Sequence, residues 1–125
     1  MKKILTKRNL EYWLDIEDWP DRIKPIKIPY KYVIEMFCDF VGASKTYNRH
    51  KPEWNEKEVW DYWIQRCKGK RLMHHESEYL IEKLLWNYYQ MGEQNFLVWY
   101  KNNKKFIKTH YEQGDLYKED LEAAR

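Results

Sequence analysis

At 125 residues and 15.7 kDa, the chain has the size of one domain, which excludes a second folded domain within it. With 43% hydrophobic and 34% charged residues it is neither a disordered tail nor a collagen-like or disulfide-rich chain. Its net charge of +3 is too small to imply a nucleic-acid partner by itself. The first 28 residues read as a short helix, Asn9 to Leu14, followed by a proline-rich connector over 15–29. Pro20, Pro25 and Pro29 each disfavour helix at the residue before them and lack a backbone donor.

A helical core is expected over 29–112. Pro29 suits a first helical turn, and Tyr30, Val33, Ile34, Phe37, Cys38 and Val41 recur at helical spacing. They predict an amphipathic helix to Gly42, which either ends it or lets a neighbour approach closely. Asn55 with Glu58 three residues on reads as an N-cap in a capping-box variant. The helix it opens carries the stripe Val59, Trp60, Trp63, Ile64 and Cys67 and stops at Gly69. A third helix, about Glu76 to Met91, buries Leu80, Ile81, Leu84, Leu85 and Tyr88, with Ser77 or the preceding turn as its cap. Gly92 separates it from a fourth, Glu93 to about Tyr111, carrying Phe96, Leu97, Tyr100, Phe106 and Ile107. Residues 113–125 read as a polar tail or short helix, Asp115 to Ala124. With no run of period-two alternation and no internal repeat, the fold class is all-α, a single-domain irregular bundle of about four main helices.

Much of the apolar volume is aromatic, from seven Trp, eleven Tyr and four Phe; their polar tips reconcile a mean hydropathy of −0.98 with a real core. No apolar run approaches the ~20 residues a bilayer requires, and the basic start lacks the long apolar stretch of a secretory signal. A cytoplasmic protein without a membrane partner is expected. Cys38 and Cys67 are far apart and both lie on predicted apolar faces, so buried reduced thiols are expected.

Glu35 and Asp39 are one helical turn apart, so their carboxylates share a face and would welcome a cation between them, whether a metal ion, a lysine or an arginine. A solvated pairing of Asp39 with Lys31 or Lys45 is the simpler reading. None of the four histidines has zinc-type spacing, and His74-His75-Glu76-Ser77 reads as a helix start. No nucleophilic triad or phosphate loop is present. Lys101, Lys104, Lys105 and Lys108 interleave with Trp99, Tyr100 and Phe106, a pattern that can bind single-stranded nucleic acid. The simpler reading makes the aromatics core and the lysines the wet face.

The run Pro29-Tyr30-Lys31-Tyr32-Val33-Ile34-Glu35-Met36-Phe37-Cys38-Asp39, followed by Ala43-Ser44-Lys45-Thr46-Tyr47, resembles domain-of-unknown-function family 5662, a family of bacterial and phage proteins. Glu11-Tyr12-Trp13, Met73-His74-His75-Glu76-Ser77 and Gly92-Glu93 extend the resemblance over about residues 8–100. Longer relatives carry an upstream His-Asp-x-Ser-Lys motif and a His-His pair, an ordering similar to the metal-dependent HD phosphohydrolases. On that analogy Asp39 would be the last ligand of a divalent metal ion, Glu35 its neighbour, Lys45 a phosphate contact, and His74 a completing ligand. Here, however, Arg8-Asn9-Leu10 precedes Glu11-Tyr12-Trp13, and most of that ligand set is absent.

The expected function is therefore a small, non-catalytic, phage- or prophage-associated binding or assembly module without a cofactor, acting on a protein partner or a second copy of itself. Its candidate binding residues are Ser44, Lys45 and Tyr47 of the motif and Lys101, Lys104, Lys105 and Lys108. The alternative is a truncated or split metal-dependent phosphohydrolase that needs another chain, with Asp39, Glu35 and His74 on a divalent ion.

Overall fold

The computed structural model describes the backbone of residues 2–5, 11–18 and 22–24, and residues 25–48, 51–70 and 73–116 with their side chains. Strands β1 (Lys2–Leu5), β2 (Glu11–Asp18) and β3 (Arg22–Pro25) form an antiparallel meander in the order β1-β2-β3. Ile4 lies opposite Tyr12, and Ile16 opposite Ile23, with a register shift between Ile16 and Asp18. This corrects the short helix expected over Asn9–Leu14 and the irregular connector expected from residue 15. In Glu11-Tyr12-Trp13-Leu14-Asp15-Ile16-Glu17-Asp18 the alternation of Tyr12, Leu14 and Ile16 with acids is interrupted by Trp13, which lends the run a helical spacing as well. Pro25 sits at the strand end, where a missing donor costs no ladder bond.

The described residues between 26 and 116 form the all-α bundle that the periodicity predicts. Helices α1 (Tyr30–Asn48), α2 (Lys57–Tyr62), α3 (His75–Met91) and α4 (Glu93–Gln113) pack around one core, with a π-helical turn, Trp63–Cys67, extending α2. The centre is aromatic. Phe37 of α1 stacks on Phe96 of α4 with ring centroids 5.1 Å apart, and Tyr88 of α3 meets both edge-on at 5.7 and 5.6 Å. Such edge and offset contacts add to area burial and fix the angle between helices.

Helix α3 follows its pattern: Leu80, Ile81, Leu84, Leu85 and Tyr88 are all buried. Helix α1 differs in two ways. It runs through Gly42 to Asn48, and a Cβ at Gly42 would meet nothing within 4 Å, so that glycine neither stops the helix nor admits a neighbour. Its buried stripe is Val33, Met36, Phe37, Phe40 and Val41 rather than one through Ile34 and Cys38. Both flanks of the Val33-Phe37-Val41 line are apolar; Phe40 wins the inner one by packing edge-on against Trp63, ring centroids 6.0 Å apart. Cys38 is left exposed, and only Cys67 is the buried thiol expected; neither is in a disulfide.

In α2 the buried line is Val59, Trp63, Cys67, a strict i, i+4 series. An α-helix would rotate such a series by about 40° per step. The Lys68 N–H bonds five residues back to the Trp63 carbonyl at 2.8 Å, and this wider turn keeps the line facing inward. Ile64, predicted for the stripe, is turned to solvent as a result. Trp63 donates its indole N–H to Glu82 at 2.8 Å, and Lys68 pairs with the same carboxylate at 3.1 Å. The expected helix over 115–124 lies outside the described residues beyond Leu116, which is buried.

Candidate functional site

The motif after α1's core stripe closes on itself. Ser44 Oγ accepts the Trp54 indole N–H at 3.0 Å, and the Lys45 ammonium lies 5.6 Å from the Trp54 ring centroid while pairing with the Glu93 carboxylate. The Tyr88 hydroxyl donates to the same carboxylate at 2.9 Å, and Glu56 Oε2 accepts the Glu93 backbone N–H at 2.7 Å, capping α4. Lys45's hydrogen bond, aided by Tyr88's, holds the Glu93 carboxyl below its usual range. Burial, then Glu93, pushes the Tyr88 phenol up. Ser44 and Lys45, candidate binding residues, are thus in contact with the fold itself. Tyr47, on the last turn of α1, is 78% exposed.

A second polar cluster joins the chain leading into α1, the start of α3 and the end of α4. The Ile28 N–H donates to Ser77 Oγ at 2.9 Å, and the Tyr111 hydroxyl donates to the Ile28 carbonyl at 2.5 Å. Tyr111's single proton is thereby used, so the 2.7 Å contact between the two hydroxyls runs from Ser77 to Tyr111. Ser77 is fully buried and is not the α3 cap. His74 caps the helix instead: its Nδ1 accepts the Glu76 backbone N–H at 3.1 Å.

His74, His75 and Glu76 place one donor atom each within 4.8 Å of one another, the one group of potential metal ligands among the described residues. Asp39 and Glu35 are not part of it; both lie exposed on α1. The group is built as a cap and an ion pair. With Nδ1 accepting a backbone N–H, the neutral ring carries its proton on Nε2, the nitrogen 3.9 Å from Glu76 Oε2. An ion at Nε2 would have to displace that proton and break the cap. Lys27 also stands 3.4 Å from Glu76 Oε1, placing a positive charge where a cation would bind. Two imidazoles and a carboxylate are donors a divalent ion accepts, but the cap on Nδ1 and the Lys27 charge work against an ion here, and Asp39 and Glu35 are not brought to His74.

The outer face of α4 remains. Its buried residues are Phe96, Trp99, Ile107 and Tyr111, with Tyr100 half-buried and its hydroxyl 2.7 Å from that of Tyr30. Leu97 and Phe106, expected in the core, are exposed, because the inward line passes between them through Tyr100 and Ile107. Lys101, Lys104, Lys105 and Lys108 are exposed and make no ion pair among the described residues. Leu97 and Val98, 55% and 62% exposed, sit one turn before them. The sequence signal was there in Leu97 and Val98, but a helix with several apolar residues per turn does not say which of them face out.

The chain matches no protein-family model, no curated protein and no solved structure. Among the described residues, no helix is long and apolar enough to cross a membrane.

Proposed function

We propose that the chain is a non-catalytic protein-binding module, phage- or prophage-associated as the resemblance implies and cytoplasmic as the sequence reading expects, that acts by holding another protein. The observation that supports it is a division of labour among side chains. Of the polar candidates, Ser44, Lys45, His74, Glu76 and Ser77 are engaged in caps, ion pairs and buried hydrogen bonds, whereas Glu35, Asp39 and the α4 lysines stand exposed without forming a catalytic site. Large apolar side chains, among them Tyr47, Leu97 and Val98, stay at the surface instead. Exposed apolar groups next to polar ones are what a partner surface rewards on contact. The nucleic-acid reading of the lysine helix is weaker, because Trp99 is core and Tyr100 half-buried, and Phe106, though exposed, lies outside the arc that carries the lysines.

Placing a photo-crosslinking residue in turn at Tyr47, Tyr62, Ile64, Leu97 and Val98, in the cells that make the protein, tests the proposal. Glu53 and Gln65, exposed and polar, serve as controls. A discrete adduct at one or more apolar positions, reproduced with the purified partner and absent from the controls, is the expected result. Failure at all five positions overturns the reading.

A further inference from the structure

We infer that the outer face of α4 docks an acidic, amphipathic segment of a partner protein, an inference that rests on the binding-module reading and assigns it one surface and one partner chemistry. From Gln94 to Tyr111 the helix carries Lys101, Lys104, Lys105 and Lys108 and no Asp or Glu, and Glu112, exposed one turn past Lys108 on the same side, bounds the face. At about 100° per residue, Leu97, Val98 and all four lysines fall within an arc of about 120°, opposite the side that carries Phe96, Trp99 and Ile107. At about 1.5 Å per residue the face from Leu97 to Lys108 is about 16 Å long, enough to meet two to three turns of another helix.

The make-up of the face selects the occupant. Two aliphatic side chains at one end supply an apolar anchor point, and a row of ammonium groups without ion-pair partners among the described residues attracts carboxylates along the turns that follow that anchor. A second copy fits poorly, since a two-fold contact brings the same lysines against each other. A nucleic acid would leave Leu97 and Val98 unrewarded and finds no aromatic among the residues of the arc. A membrane surface calls for a larger apolar face than two aliphatic residues provide.

Fluorescence anisotropy on the full chain provides the test. The probe is a synthetic helical peptide of Glu and Leu with Leu at i, i+3, i+4 and i+7; its Lys-for-Glu counterpart, oligothymidylate and phosphatidylserine vesicles are the comparisons. The Glu/Leu peptide is expected to bind. Its Kd should rise about tenfold or more both in Lys101→Glu/Lys105→Glu and in Leu97→Ser/Val98→Ser, with helical circular dichroism unchanged. The Lys-for-Glu peptide should not bind, and oligothymidylate and vesicles should not compete. No binding of the Glu/Leu peptide, equal binding by the variants, or stronger binding of oligonucleotide or vesicles overturns the inference. Crosslinks from Tyr47, Tyr62 or Ile64 alone, with these variants indistinguishable from the parent, would leave the module reading standing and remove this surface from it.

Discussion

His74 Nδ1 accepts the Glu76 backbone N–H, a role open only to the neutral ring. Burial is the first cause that lowers its pKa, and His75, stacked 4.5 Å away between ring centroids, and Lys27 act in the same direction; Glu76 opposes them. A base whose folded value is depressed binds fewer protons folded than unfolded, so stability rises with pH through that window. The contribution is intact above the unfolded value of about 6.5 and is lost as pH falls from there through the folded value. His74→Asn keeps a capping side chain that does not titrate. Urea unfolding at pH 8 should find it within a few tenths of a kcal/mol of the parent, since both caps are made. Between pH 7 and 5 the parent should lose stability relative to the variant, and parallel pH profiles would refute the assignment.

Two glycines in the helices have opposite meanings. Gly42 sits exposed inside α1 with open space where a Cβ would go, so Gly42→Ala should stabilise by about 0.5–1 kcal/mol through reduced chain entropy. Gly92 joins α3 to α4 at φ 80° and ψ 158°, a conformation near the glycine-only region, so Gly92→Ala should destabilise by about 1–3 kcal/mol. Thermal and urea midpoints of the two variants should move in opposite directions. Gly92 was legible as a break because periodicity stops on both sides of it; Gly42 was misleading because a glycine after an apolar stripe looks like a stop. The buried apolar stripe of α3 was legible because Leu80, Ile81, Leu84, Leu85 and Tyr88 recur on one side of the helix. α1 and α4 carry apolar residues on more than one face, and contacts with Trp63 and Phe37 decide which are covered. The Ser77–Tyr111–Ile28 cluster was not legible, since it joins residues up to 83 positions apart, whereas the α3 cap, two residues from the N–H it accepts, fell in the turn before Ser77 that the sequence offered as one of two alternatives. β2 was hidden by Trp13, one aromatic out of step with the alternation.

Across the molecule the charge is nearly balanced, 23 basic against 20 acidic residues, so a helix with four lysines and no acid between Gln94 and Tyr111 is a local excess rather than a share of a general surplus. That local field acts on self-association as well as on a partner. In about 0.15 M salt the Debye length is about 8 Å, long enough for lysines on two facing copies of α4 to repel and keep Leu97 from meeting Leu97. Near 1 M it shrinks to about 3 Å, the repulsion fades, and only the apolar contact remains. Sedimentation velocity of the purified chain should therefore give a monomer at physiological salt and a growing dimer fraction toward 1 M NaCl. Leu97→Ser/Val98→Ser should abolish the high-salt dimer, whereas Lys101→Glu/Lys105→Glu should let a dimer form already at low salt by pairing new carboxylates with Lys104 and Lys108. A dimer at physiological salt that dissociates as salt is raised would mean that opposite charges, not the α4 lysines, govern how two copies meet.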